Sequence, residues 1–254
     1  MAGSVVVFGS TSVFYRYNRD LLLKTPRSSI QKEFAQDIQR AFTVEPRILE
    51  RLGDHPRIVK YYGTDGRNLI LREATHGNLE DFIIANPSIE MPLRLKFARQ
   101  AIESVAYVHS KGVIHQDLRP AQFLVDETKS GSLDLLLSDF GGSLCDDLGL
   151  DGGHLPDSGF FDPNLGSKFP QMQDLFSLGS VCFMILTGAW PFRSPGPFDS
   201  IEEKEEYEER TDYLFRQEIY PDVTALAGGK TVLGCWKKQY KTAQEALDAF
   251  DENI

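Results

Sequence analysis

His115-Gln116-Asp117-Leu118-Arg119-Pro120 and, 22 residues beyond Asp117, Ser138-Asp139-Phe140-Gly141 are the stretches on which the reading of this chain turns. Before the first lies Pro92 to His109, where Leu93, Phe97, Ala101, Val105 and Val108 recur at three- and four-residue spacing. That is the stripe of a helix with one buried face. After it comes the short strand Phe123-Leu124-Val125. A second strand, Leu135–Leu137, leads directly into Ser138-Asp139. A His-x-Asp or an Asp-x-Gly alone is common by chance. Their order, set between a helix and two strands, is what gives them weight.

Upstream, Val5-Val6-Val7, Val13-Phe14-Tyr15 and Leu21-Leu22-Leu23 read as three strands, with Gly9-Ser10 and Asn18-Arg19-Asp20 between them. Lys24 ends the third. A helix is expected from about Ile30 to Leu52, bent or broken at Pro46. Ile58–Tyr62 and Leu69–Leu71 read as two more strands. Downstream, helices are expected over Gln173–Leu186, over the acidic Ile201–Arg210 and over Thr242–Phe250. The pattern is therefore α+β: a strand-rich part, about 1–74, then a larger helical part, about 78–254. The boundary falls at 73–78, with Gly77 as a hinge. Cys145–Asn164, rich in Gly, Asp and Pro, reads as a long loop, functional or mobile.

The bulk properties narrow the classes. A chain of 254 residues, 41% of them hydrophobic, can bury a sizeable core. A net charge of -10 argues against nucleic acid or anionic lipid as partners. Three scattered cysteines form neither a disulfide framework nor a zinc site. No apolar run approaches membrane length, and MAGSVVVFG lacks a secretory pattern, so the expected place is cytoplasmic or nuclear. Oligomeric state is not legible.

Taken together, these motifs resemble the eukaryotic protein kinase family over essentially the whole chain. Lys24 and Glu45, 21 residues apart, are similar to that family's strand lysine and helix-αC glutamate. His115–Pro120 resembles its catalytic loop and Asp139-Phe140-Gly141 its metal-binding motif. Asp174-Leu175-Phe176-Ser177-Leu178-Gly179 and Leu186-Thr187-Gly188-Ala189-Trp190-Pro191-Phe192 look like the later helix and the loop after it. These last two separate the chain from small-molecule kinases of the aminoglycoside-phosphotransferase type.

The resemblance implies a bilobal fold: a small antiparallel sheet with helix αC, then a mainly helical lobe. It implies transfer of the γ-phosphate of ATP, with Mg²⁺, to Ser or Thr of a protein substrate. Asp117 would orient the acceptor hydroxyl, with Lys24 and Arg119 acting on the phosphates. Asp139 and Gln122 would hold the metal. Gly9, Phe14, Leu22, Lys24, Glu45, Glu73 and Thr75 would line the nucleotide site.

Several positions depart from the family pattern. Only Gly9 remains of three loop glycines. Phe14 and Leu22 are larger than the usual valine and alanine, and Arg72 stands at or beside the back of the pocket. Arg119 replaces a lysine, and Gln122 replaces an asparagine. Gln116 replaces the arginine that clamps a phosphorylated activation segment, which argues against switching through Ser143 or Ser158. Asp162-Pro163-Asn164 stands for Ala-Pro-Glu, and the arginine partner of that glutamate is missing too. The usual threonine near Asp157 is also missing. Two readings follow: an active kinase, supported by Lys24, Glu45, Asp117 and Asp139, or a pseudokinase serving as a binding or scaffold module.

Overall fold

The computed structural model describes residues 4–29, 31–153, 157–165 and 170–254. Ile30, the expected helix start, residues 1–3 of the opening MAGSVVVFG and residues 154–156 of the expected loop lie outside them.

Five antiparallel strands open the chain: β1 Val5–Phe8, β2 Ser12–Arg16, β3 Leu21–Pro26, β4 Tyr61–Asp65 and β5 Asn68–Arg72, in the order β1-β2-β3-β5-β4. Lys24 lies within β3 rather than at its end, opposite Phe14 on β2 and Leu69 on β5. The strand expected from Ile58 begins only at Tyr61. Ile58 instead makes a parallel bridge to Leu137.

Between β3 and β4 runs α1, Lys32–Leu52. It continues through Pro46 without a break, which corrects the sequence expectation. Proline removes one ladder bond, at about 3 kcal/mol. The helix offsets this by burying Ile38, Val44, Ile48, Leu49 and Leu52. Its approach to Gly141 is close: a Cβ there would lie 2.9 Å from that of Ala41. Glycine at 141 thus lets the helix carrying Glu45 sit against the segment carrying Asp139.

The second part is helical. A short helix that the periodicity did not reveal, α2 Leu79–Ala85, precedes α3, Met91–Ser110. Phe97, Ala101, Val105 and Val108 of its stripe are fully buried. Strands β6 Phe123–Glu127 and β7 Leu133–Leu137 pair antiparallel; β8 Leu144–Cys145 and β9 Leu150–Asp151 form a second small ladder. Helix α4, Pro170–Thr187, is buried on every side from Gln173 to Leu186. That explains its apolar sequence without amphipathic period. Helices α5 Ile201–Arg216, α6 Gly229–Trp236 and α7 Ala243–Glu252 complete the chain, α5 running six residues past the expected end. Among the described residues, no helix is long and apolar enough to cross a membrane.

The ion pair that the sequence showed as missing is present in other residues. Lys238 Nζ lies 2.6 Å from Asp162 Oδ2, and the Asp162 side chain is only 1% exposed. Lys238→Met would leave that carboxylate buried without its cation. The expected cost is about 3 kcal/mol, read as a fall in the denaturant midpoint at unchanged slope. The double variant with Asp162→Asn should recover much of it.

Candidate active site

The centre of the site is Lys24. Its Nζ donates to Glu45 Oε2 at 2.6 Å and to Asp139 Oδ1 at 2.7 Å. Both Lys24 and Glu45 are buried, at 3% and 1% side-chain exposure. The rings of Phe14 and Phe42 each lie 5.9 Å from the ammonium. Burial works against this cation, but Asp139 and Glu45 outweigh it and hold Lys24 above its ordinary pKa. Burial also pushes Glu45 up, with Lys24 pulling back. Asp139, on the partly open side of this cluster, keeps 42% of its side chain open to water. Surrounding protein disfavours its charge; Lys24 prevails and keeps it below the ordinary carboxylate range.

Phe140, beside Asp139, is fully buried and packs on His115 with ring centroids 5.1 Å apart. This sets Asp139 facing the cleft in the left-handed region, at φ 59°. The catalytic loop is held from below by Asp174 of α4. Its Oδ2 accepts from His115 N at 2.7 Å and lies 2.9 Å from His109 Nε2, and its Oδ1 accepts from Gln116 N at 2.9 Å. Gln116 is itself at φ 67°. One buried carboxylate thus fixes two consecutive backbone N–H groups just before Asp117. His109, a member of this brace, carried no sequence signal beyond its place at a helix end.

Asp117 Oδ2 accepts from Gln122 Nε2 at 2.8 Å. Arg119 reaches Asp117 with Nε at 3.3 Å and Nη2 at 3.4 Å, and Asp157 Oδ2 with Nη1 at 2.7 Å. Asp157 is therefore the second partner of Arg119, a role the sequence did not disclose. Two oxygens remain uncommitted among the described residues: Asp139 Oδ2 and Gln122 Oε1 accept no hydrogen bond. Hard oxygen donors of this kind suit Mg²⁺, so the residues present fit the ion that the family implies.

Arg72 does not enter the pocket expected behind β5. Arg72 turns outward, 3.3 Å from Asp126 and 45% exposed. The inward residue at the end of β5 is Leu71, opposite Leu22. Glu73 forks onto Arg16 at 2.6 and 2.8 Å, and the Thr75 hydroxyl binds Asp126 and the N–H of Glu127. Between them, the N–H of Ala74 has no partner among the described residues. No side-chain chemistry marked that alanine in the sequence. At the β1–β2 turn, Gly9 N donates to Ser12 O at 2.8 Å, while the N–H groups of Ser10 and Thr11 have no partner among the described residues. A phosphate can be met by free backbone N–H groups even where glycines are few.

The activation segment is docked by Gln116. Its Nε2 donates to Gly142 O at 3.0 Å and to Asp151 Oδ1 at 3.2 Å. Ser143 is fully buried.

The arrangement agrees with comparisons to known proteins. Residues 13–228 match the protein kinase domain family. The chain is 31% identical over 198 residues to the serine/threonine-protein kinase PknJ of Mycobacterium tuberculosis, covering 72% of this chain and 33% of that protein. It is 30% identical over 169 residues to calcium/calmodulin-dependent protein kinase type 1 of Macrobrachium nipponense, covering 64% of this chain and 48% of that one. The chain thus spans a third to about half the length of these relatives. In shape it resembles a crystal structure of the Rad53 kinase domain and SCD2, with TM-score 0.67 at 19% identity, over 97% of this chain and 86% of that chain. With Lys24, Glu45 and Asp139 in mutual contact, Asp174 bracing the loop that carries Asp117 and residues 13–228 matching the family model, the chain belongs to the protein kinase family.

Proposed function

We propose that this chain is an active kinase that transfers the γ-phosphate of ATP to a serine or threonine hydroxyl of a protein substrate. One observation carries the reading: Lys24 is held at once by Glu45 from α1 and Asp139 from the end of β7. This contact needs the helix, the sheet and the Phe140 segment in mutually consistent places. The hinge is taken as 73–78, dividing a lobe of about 1–74 from one of about 78–254.

In this reading the Ala74 N–H meets the adenine edge, under Phe14 and Leu22. Lys24 and the free N–H groups of Ser10 and Thr11 hold phosphate oxygens. Mg²⁺, when bound, supplies positive charge to those oxygens, with Asp139 and Gln122 as its protein ligands. Asp117 accepts the proton of the attacking hydroxyl and fixes its approach. Arg119 offers a forked cation to the phosphoryl group, having first to loosen its hold on Asp117. That hold is the observation favouring the second reading, a non-catalytic binding module.

Mg·ATP at 100 times its Kd should stabilise the chain by about 2.7 kcal/mol, a thermal shift of roughly 5–10 °C, and should be accompanied by transfer to a generic protein substrate. Absence of both the shift and the transfer would refute the proposal. Because Gln116 docks the activation segment without a phosphate, phosphatase treatment should leave the transfer rate unchanged, whereas Gln116→Ala should lower it. A phosphatase-sensitive rate would contradict this.

A further inference from the structure

Ala74 stands between two separate sets of backbone hydrogen bonds. Before it, Arg72 N donates to Lys60 O at 2.9 Å and Glu73 N donates to Asp20 O at 3.0 Å, which tie these residues to the five-stranded sheet. After it, His76 N donates to Val125 O at 3.0 Å and Val125 N donates to Gly77 O at 2.9 Å, which tie the chain to β6. The N–H of Ala74 itself has no partner among the described residues. Its direction is therefore set by whatever fixes the residues on either side.

One side chain reaches both sides. Asp126, on β6 and only 8% exposed, accepts from Thr75 N at 3.2 Å and from the Thr75 hydroxyl at 3.4 Å, both with Oδ1. Its Oδ2 lies 3.3 Å from Arg72 Nη2. The Thr75 hydroxyl in turn accepts from Glu127 N at 2.7 Å. The carboxylate thus spans Ala74, with residue 72 on one oxygen and residue 75 on the other. Bonds to an ionised acceptor are stronger than neutral ones. The Thr75 N–H is taken up by this carboxylate, while that of Ala74 stays free.

We propose that Asp126 is a positioning residue for the nucleotide base: it fixes the backbone on both sides of Ala74, so that the Ala74 N–H is presented in a single orientation. The inference deepens the nucleotide half of the proposed function and rests on it. A donor correctly aimed only part of the time weakens apparent affinity in proportion to that fraction. A donor fixed beforehand avoids the ordering cost on binding. The effect belongs to the base and not to the phosphates, which are assigned to Lys24 and the β1–β2 turn.

The test titrates the full chain with adenosine and, separately, with inorganic tripolyphosphate and Mg²⁺. Asp126→Ala should weaken adenosine about tenfold and leave tripolyphosphate within about twofold of wild type. Asp126→Asn, whose amide oxygen can still accept from Thr75, should recover most of the adenosine affinity. In transfer assays Asp126→Ala should raise KM for ATP and leave kcat close to wild type. Unchanged adenosine affinity in Asp126→Ala would overturn the proposal. So would an equal loss of tripolyphosphate binding, the mark of general loosening. If Asp126→Ala does not fold, Thr75→Val, which deletes the hydroxyl and keeps the N–H, should show the same split at about threefold, and its absence would count equally against the proposal. A wild-type chain that binds adenosine with this dependence on Asp126 but transfers no phosphate sinks the kinase reading alone. A wild-type chain that binds no adenosine sinks both.

Discussion

Asp117→Asn is expected to reduce phosphate transfer by about 10²–10⁴-fold while leaving the fold and nucleotide affinity close to wild type. The substitution keeps the shape of the side chain and removes its capacity to take a proton. The loop around it is fixed independently, because Asp174 accepts from the backbone N–H groups of His115 and Gln116. Lys24, assigned to the phosphates, is held by Glu45 and by Asp139, which is assigned to the metal. Single-turnover rates should therefore fall while the Mg·ATP dissociation constant and the melting temperature hold. Undiminished transfer would mean that the acceptor proton goes elsewhere.

Lys24→Met should be the most damaging change to both activity and stability. It removes the cation that contacts both carboxylates, one of which, Glu45, is sealed from water. Breaking a buried pair on one side costs about 3–5 kcal/mol. The loss has a defined pH dependence. Burial already raises Glu45, and Lys24 is the group opposing that rise. Without Lys24 the folded-state pKa climbs further above the unfolded value. Between those two values the folded state binds more protons than the unfolded one, so stability falls as pH rises. The variant should accordingly be more stable at mildly acidic than at mildly alkaline pH. Adding Glu45→Gln should restore stability and flatten that dependence without restoring transfer. A single variant whose stability does not depend on pH across that range would show that Glu45 is not charged against Lys24.

Where the sequence spoke clearly, it did so through residues whose chemistry or spacing admits few settings. The order of Lys24, Glu45, Asp117, Asp139 and Asp174 predicted elements that the structure brings together, Lys24 on Glu45 and Asp139, and Asp174 under the loop that carries Asp117. The stripe of α3 and the apolar run of α4 were legible because burial selects residue type at every turn. What stayed hidden depended on partners distant in the chain. Pro46 signals a break by local rules, yet packing across one face of α1 keeps the helix whole. Arg72 looked obstructive because strand alternation at the end of β5 could not be phased from three residues; it points out and Leu71 points in. Asp162, in the stretch that stands for Ala-Pro-Glu, and Lys238 are 76 positions apart and no motif couples them, so their ion pair appeared only in three dimensions. The same holds for Asp157 on Arg119. Backbone groups such as the Ala74 N–H leave no mark in composition at all.

The central claim is that the cleft is not merely assembled but transfers phosphate. Its most direct test is to incubate the purified chain with Mg²⁺ and γ-labelled ATP in the presence of a serine/threonine peptide library, beside Asp117→Asn. The account predicts label on seryl or threonyl side chains from the wild-type chain and almost none from the variant. A chain that binds Mg·ATP, shown by its thermal shift, yet labels no peptide or protein would contradict it.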